Sequence, residues 1–149
     1  MHINVNEIQI SYREVAPISG NPKMTCSQAA HTVLRELWNP HTIGLHESFK
    51  VLLLNNSNQI KGIYHLSEGG ITAALVDIRI LFAVVLKSLS VGIILAHNHP
   101  SGQLRPSQAD TQLTKKIQRA AKLLDVRVLD HLILGPQDGY FSFADEGLL

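Results

Sequence analysis

Two histidines and one aspartate are spaced in a way that favours a metal site. His97 and His99 come directly after the apolar run of residues 91–96, and Asp110 follows a loop rich in proline and glycine. Residues two apart in an extended chain point to the same side, so both imidazoles can reach one ion at the strand end. Two neutral imidazoles and one carboxylate form a common ligand set for catalytic zinc, with the fourth position left to water. The pattern predicts one zinc ion per chain.

Simpler explanations compete with this metal site. The chain contains eight histidines, so a His-x-His pair arises easily by chance. Most single histidines are surface residues or satisfied core residues. Ser107 and Asp110 also have the spacing of a helix cap, in which each side chain satisfies a backbone donor. Capping and metal binding are compatible, because a cap fixes the rotamer that a ligand needs. The order of strand, His-x-His, loop, serine and aspartate favours the metal site.

Hydrophobic periodicity and turn residues place the elements that must position these side chains. The first helix has Thr25 or Ser27 as its cap and ends before Pro40. Two further helices are predicted over residues 78–89 and 107–125. A loosely alternating strand or strand pair is predicted over residues 3–15. The more regular strands are predicted over residues 48–54, 59–66, 71–76, 91–96, 127–134 and 140–143. This order predicts an α/β (α+β) fold with helices packed on a mixed sheet.

Composition limits the class of protein. A chain of 149 residues, 45% of them hydrophobic and 17% charged, fits one soluble globular domain. The chain has a formal net charge of +1, whereas many nucleic-acid-binding domains have a large excess of basic residues. The densest basic stretch has helical spacing and is interpreted as a solvated helix face. It consists of Lys115, Lys116, Arg119 and Lys122. Direct nucleic-acid binding is therefore disfavoured, although a weak phosphate contact on this face stays open.

The cysteine count and the N-terminal sequence predict a cytoplasmic protein. Cys26 is the single cysteine, which excludes an internal disulfide and fits a reducing compartment. We interpret it as a small buried or half-buried residue. The first residues lack the basic and then apolar pattern of a signal peptide. The longest apolar stretches are too short to span a bilayer, so no membrane association is expected.

The candidate ligands resemble the motif of the JAB/MPN (JAMM) metallopeptidase family. That motif is a glutamate, then His-x-His, seven residues, serine, two residues and aspartate. His97, His99, Ser107 and Asp110 match this spacing without a gap. The string HNHPSG, which starts at His97, and the downstream strings DHLILG and SF resemble the RadC branch of the family. The resemblance covers roughly residues 25–149.

The resemblance implies a fold and an activity. The fold is a mixed, mainly antiparallel sheet flanked by helices, with JAB/MPN (cytidine-deaminase-like) architecture. Residues 25–149 form the domain, and residues 1–24 are expected to form a strand or loop extension that packs on it. The activity is zinc-dependent hydrolysis of an amide bond by a metal-activated water. The substrate would be a peptide or protein, so the chain would be a peptidase or isopeptidase.

The resemblance also implies two catalytic side chains. A glutamate acts on the metal-activated water, and Glu47 is the candidate because it precedes the strand of residues 48–54. Three other glutamates compete in principle but lack that setting: Glu36, Glu68 and Glu146. Ser107 would donate a hydrogen bond to the developing oxyanion, a contact typically worth about 3 kcal/mol.

Three further residues are expected to support the ligands from outside the first coordination sphere. Asn98 and Ser101 would hold the loop in shape. The pair Asp130-His131 would supply a further contact, although a polar pair inside a strand also has many ordinary explanations. The eukaryotic-type peptidases usually carry Ser or Thr between the two histidines, whereas Asn98 follows the RadC branch.

Other functions stay open. Some members of the wider family have lost ligands and serve as non-catalytic partner-binding domains, but this chain keeps the ligand set. The RadC label suggests a DNA-repair-associated role or a nuclease, although a two-metal nuclease would need more carboxylates. RadC-type proteins also carry a helix-hairpin-helix segment ahead of this domain, and no such segment is recognised here. That removes the main reason to expect DNA binding. The oligomeric state is left open.

Overall fold

The sheet is five-stranded, mixed and mainly antiparallel. The computed structural model describes residues 3–9, 11–70 and 75–149, and in them the strand order is β2-β1-β3-β4-β5. Only β3 and β4 are parallel neighbours within this sheet. The sheet type predicted from the sequence is confirmed. The strands are β1 (Ser48–Leu54), β2 (Ile60–Glu68), β3 (Gly92–Asn98), β4 (Arg127–Leu134) and β5 (Tyr140–Ser142).

Helices cover both faces of the sheet. They are α1 (Ser27–Leu37), α2 (Ile78–Lys87) and α3 (Gln108–Leu123), with a short 3₁₀ helix at Ile18–Gly20. Because side chains alternate along a strand, the core has two layers. Leu52 and Ile94 pack with α1 on one face, and Val51 and Leu95 pack with α2 and α3 on the other. The predicted arrangement of helices flanking the sheet is confirmed.

The parallel pairing of β3 and β4 determines where α3 lies. Parallel neighbours require a crossover connection, and α3 supplies it. The chain leaves the carboxyl end of β3, passes through a short loop and enters α3. This connection brings the first turn of α3 back beside the end of β3. The fold therefore places the candidate ligands of the strand end and of the helix start at one edge of the sheet.

The strand or strand pair predicted over residues 3–15 is wrong where this segment is described. Residues 3–9 and 11–15 form no strand, and their side chains are exposed. Alternating apolar residues need a neighbouring strand to pair with, and this segment pairs with none of the described strands. The centroid of the Tyr12 ring in this segment lies 4.4 Å from the Lys61 ammonium of β2. The packing of residues 1–24 on the domain stays a prediction.

The strand predicted over residues 71–76 is not found in its described part. Residues 71–74 lie outside the described residues, and Leu75 and Val76 belong to no strand.

The second helix is also less buried than its apolar sequence predicts. Its buried residues are Leu81, Phe82 and Val85. No helix in the described part of the chain is both long and apolar enough to cross a membrane.

The predicted caps of α1 are wrong. The N-cap is Cys26, which makes no capping hydrogen bond and is exposed, contrary to the expected burial. The Ser27 hydroxyl is engaged elsewhere: it donates to Asp145 at 2.5 Å and lies 3.0 Å from the Tyr140 hydroxyl. These two contacts join the start of α1 to the C-terminal segment, a long-range pairing that local sequence does not reveal.

Candidate metal centre

The two histidines are positioned by the buried end of β3. His97 is 3% exposed and points to the same face as Leu95, which packs toward α3. His99 extends the pairing with β4, since its backbone N–H donates to the Leu134 carbonyl at 2.8 Å. The loop then turns at Gly102, whose φ of +82° is accessible to glycine at little cost. The chain geometry thus directs both imidazoles to one point.

Asp110 is held by a capping box at the start of α3. The Ser107 hydroxyl oxygen accepts from the Asp110 backbone N–H at 3.0 Å. In return, Asp110 Oδ2 accepts from the Ser107 backbone N–H at 2.7 Å. These reciprocal bonds satisfy donors at the helix start and fix the Asp110 rotamer. The predicted cap at Ser107 is confirmed.

The three candidate ligands converge. The Nε2 atoms of His97 and His99 are 3.0 Å apart. Asp110 Oδ1 lies 3.4 Å from His97 Nε2, and Asp110 Oδ2 lies 3.4 Å from His99 Nε2. A tetrahedral zinc site with bonds of about 2.0–2.1 Å separates its ligand atoms by about 3.3 Å. Among the described residues, this is the group of histidine and carboxylate side chains that could hold a metal ion.

Hydrogen bonds behind the rings determine which nitrogens carry protons. His99 Nδ1 lies 2.7 Å from the Gln103 carbonyl oxygen. A carbonyl only accepts, so Nδ1 carries the proton and Nε2 presents its lone pair to the site. Ser101 acts on the same loop, since its hydroxyl oxygen accepts from the Gln103 backbone N–H at 3.3 Å. Gln103 thus links Ser101 to His99 through two hydrogen bonds.

A longer chain of hydrogen bonds fixes the other ring. His97 Nδ1 lies 2.8 Å from His131 Nε2, and His131 Nδ1 lies 2.6 Å from the Thr114 hydroxyl. That hydroxyl donates to the Asp110 carbonyl at 2.7 Å, so it accepts from His131 Nδ1. His131 Nε2 therefore accepts from His97 Nδ1, which leaves the His97 Nε2 lone pair facing the site. Both imidazoles, those of His97 and His99, thus have the tautomer that metal binding would need.

The surroundings of His131 keep its ring neutral. It is fully buried and stacks on Phe143 at 4.7 Å, with Phe49 at its edge. Burial lowers the pKa of His131 well below its ordinary value. A neutral ring can accept from His97 and donate to Thr114 simultaneously. Sequence reasoning identified His131 but missed Thr114, although its position four residues after Asp110 on one helix face is a readable signal.

The converging atoms favour positive charge between them. Two imidazole lone pairs and a carboxylate repel one another unless a proton or cation lies between them. Hydrogen bonding to Asp110 raises the pKa of His99, against the opposing effect of burial. Burial acts to raise the pKa of Asp110, but its interactions with both imidazoles outweigh this and lower the pKa. A divalent cation would satisfy all three groups together.

Thr114→Val should weaken metal binding without touching a ligand. Valine has nearly the shape of threonine but leaves the buried N–H of His131 without an acceptor. We expect zinc affinity to fall about 10- to 100-fold and the free energy of unfolding to fall by about 1–3 kcal/mol. Competition with a chromophoric chelator and urea unfolding measure the two effects. Thr32→Val is the control, since Thr32 makes the same bond to a helix carbonyl in α1 and is exposed. Equal zinc affinities of the two variants would contradict the role of Thr114.

Asn98 joins the end of β3 to the segment before β1. Its side chain is fully buried. The amide nitrogen donates to the carbonyls of Ile43 and His46 at 2.7 and 2.9 Å, and its oxygen accepts from the Ser48 backbone N–H at 2.7 Å. Every polar atom of the side chain is thereby engaged. These bonds fix the segment that carries Glu47.

Glu47 is brought to the edge of the metal centre. Its backbone pairs with Gly69 and Gly70, which continues the β1–β2 ladder by one residue. Its side chain is 15% exposed, and Oε1 lies 3.9 Å from His99 Nε2. The competing Glu68 instead pairs with His46 at 3.3 Å. Glu47 therefore lies beside the three candidate ligands but is not one of them.

Comparison with known proteins agrees with this arrangement. A family model described as the RadC-like JAB domain matches residues 24–148. A UPF0758 protein of Flavobacterium johnsoniae is 48% identical over 128 residues, which make up 85% of this chain and 53% of that protein. A UPF0758 protein of Porphyromonas gingivalis is 52% identical over 103 residues, or 69% of this chain and 45% of that protein. The chain thus spans about half the length of the curated relatives it matches. It belongs to the RadC-like JAB domain family.

Proposed function

We propose that this chain is a zinc-dependent hydrolase that cleaves an amide bond in a peptide or protein, as a peptidase or isopeptidase. One observation carries the proposal: two imidazole lone pairs and a carboxylate converge, and the Glu47 carboxylate lies beside them without being part of the group. A structural zinc site is usually closed by four protein ligands, often cysteines. Three ligands with an adjacent carboxylate favour catalysis.

His97, His99 and Asp110 would hold the ion, since nitrogen and oxygen donors at these separations suit zinc. When bound, the ion supplies a water that is acidic near neutral pH and a Lewis acid for the scissile carbonyl. Glu47 accepts the proton of the attacking water and delivers it to the leaving amine. The Ser107 hydroxyl uses its oxygen in the helix cap, so its proton is available to the developing oxyanion.

The test combines metal content with hydrolysis. The 149-residue chain is stripped with a chelator, reloaded with one equivalent of zinc and incubated with a complex peptide mixture. New N-termini are identified by mass spectrometry. We expect one zinc per chain and cleavage that chelation abolishes. His97→Ala should bind no stoichiometric zinc and cleave nothing. His65→Ala is the control, because this exposed histidine lies on β2 outside the ligand group. A wild type without zinc, or His97→Ala with zinc, would sink the proposal.

The alternatives give different results in the same experiment. Stoichiometric zinc without amide cleavage would indicate a non-catalytic metal-binding domain. Zinc-dependent cleavage of DNA that His97→Ala abolishes would indicate a nuclease and a DNA-repair-associated role. A cytoplasmic location stays a prediction, to be checked by fractionation of cells that express the chain.

A further inference from the structure

The turn between β4 and β5 directs three consecutive carbonyl groups toward one arginine. Arg35 of α1 donates through Nη1 to the Gly135 carbonyl at 2.6 Å. Its Nη2 donates to the carbonyls of Pro136 and Gln137 at 3.0 and 2.8 Å. A planar guanidinium suits such a group, because its N–H donors diverge in fixed directions and it accepts nothing in return. Arg35 therefore holds the turn against the last part of α1.

The ligand loop, residues 99–106, packs on this turn. The Gly102 N–H donates to the His99 carbonyl at 2.9 Å, a bond that shapes the loop but does not tie it to the rest of the domain. The tie is packing: a Cβ on Gly135 would come 3.2 Å from the Gly102 Cα atom and 3.6 Å from Leu104 Cδ2. Gly135 thus lets two backbones touch where any larger residue would separate them.

The same turn also touches the segment that carries Glu47. A Cβ on Gly44 would lie 3.4 Å from the Pro136 Cγ atom. Gly44 directly follows Ile43, whose carbonyl accepts from Asn98. The turn therefore lies between the ligand loop and the segment before β1, and it contacts both of them.

His99 is the candidate ligand that depends most on the ligand loop. His97 lies within β3, and Asp110 is fixed by the capping box of α3. The His99 ring is instead oriented by the carbonyl of Gln103, a residue of the loop itself. A shift of the loop would therefore move one ligand relative to the other two.

We propose that Arg35 is a positioning residue of the metal centre. By fixing the turn between β4 and β5, it holds the ligand loop in the place where the His99 imidazole meets the other two ligands. The effect passes through the contact of Gly135 with Gly102, in which backbone rather than a flexible side chain transmits a displacement. The inference rests on the metal binding of the proposed function and does not depend on hydrolysis.

The test compares Arg35→Met with Lys61→Met in the cobalt-loaded 149-residue chain. Methionine keeps an unbranched stem and removes the donors. Lys61 is the matched control, because its ammonium also donates to two consecutive carbonyls, those of Ser88 and Leu89, before the opposite end of β3. Arg35→Met should weaken Co²⁺ binding about 10-fold and change the visible absorption bands, which report ligand geometry. Lys61→Met should change neither.

A second measurement uses the metal-free chain. Amide hydrogen exchange at Gly102 should become about 10-fold faster in Arg35→Met and should keep its wild-type rate in Lys61→Met. Arg35→Lys keeps the charge but offers a single nitrogen to the three carbonyls, so both of its values should lie between those of wild type and Arg35→Met. It also replaces Arg35→Met if that variant does not fold.

A folded Arg35→Met or Arg35→Lys protein with the wild-type cobalt affinity and spectrum would overturn the inference, even if its stability were lower, because Arg35 would then serve the fold alone. Unchanged exchange at Gly102 would overturn it as well. These results would leave the proposed function standing. A wild type that binds no cobalt would instead contradict the metal centre and the role of Arg35 in it together.

Discussion

Glu47→Gln should lower the rate of amide hydrolysis by about 10²- to 10⁴-fold while the protein keeps its zinc. Glutamine preserves the size of the side chain but cannot accept the proton of the attacking water. Zinc should remain because Glu47 lies outside the group of His97, His99 and Asp110. Steady-state kinetics on the cleaved peptide and metal analysis of the same sample measure both effects.

The control for this variant is Glu36→Gln, which changes an exposed glutamate of α1. It should hydrolyse the peptide at the wild-type rate. If Glu47→Gln retains more than about a tenth of the activity, another group acts as the base. If Glu47→Gln loses zinc together with activity, Glu47 contributes to metal binding, and its assignment as a base that does not bind the metal is wrong.

Asn98→Ala should cause the largest loss of stability of any single change around the site. It removes the partner of three backbone groups: the buried Ile43 carbonyl and Ser48 N–H, and the partly buried His46 carbonyl. Each unsatisfied buried group costs about 1–3 kcal/mol, so the loss is about 3–5 kcal/mol if the site partly relaxes. Typical domains have only about 5–15 kcal/mol in total. Urea unfolding of the metal-free proteins measures the loss.

Asn56→Ala is the matched control, because Asn56 is exposed in the turn between β1 and β2. Its free energy of unfolding should stay within about 0.5 kcal/mol of wild type. Asn98→Ala should also impair hydrolysis in the fraction that folds, since the segment before β1 carries Glu47. An Asn98→Ala protein as stable as Asn56→Ala would show that water replaces the lost amide.

The parts of the site that could be predicted are those encoded locally. His97 and His99 follow a continuous apolar run, and the spacing of Ser107 and Asp110 is that of a capping box, so four side chains needed no knowledge of distant contacts. The strand partners of β3 are not encoded in this way. The contact between His97 and His131 depends on parallel pairing with β4, which one sequence does not specify.

The strand predicted over residues 3–15 is wrong because a local pattern does not supply a pairing partner. Residues 3–15 alternate between apolar and polar residues, as a strand does. Such a segment forms a strand only where a sheet edge is available to pair with its backbone. In α1 the expected caps also failed for a long-range reason, since the Ser27 hydroxyl is engaged by Tyr140 and Asp145. Local patterns succeeded where the partner was close in the chain and failed where it was distant.

The capping box gives the metal centre a kinetic property. The first turn of a helix opens more often than its interior, and such fraying occurs without global unfolding. Asp110 belongs to that turn in α3, whereas His97 belongs to β3 and His99 directly follows it, paired with Leu134 of β4. An ion bound here would damp the fraying of α3, and its departure would follow the opening of that turn. The residence time of a bound ion would then follow the opening of the helix end, and amide hydrogen exchange at the start of α3 should slow when zinc is bound.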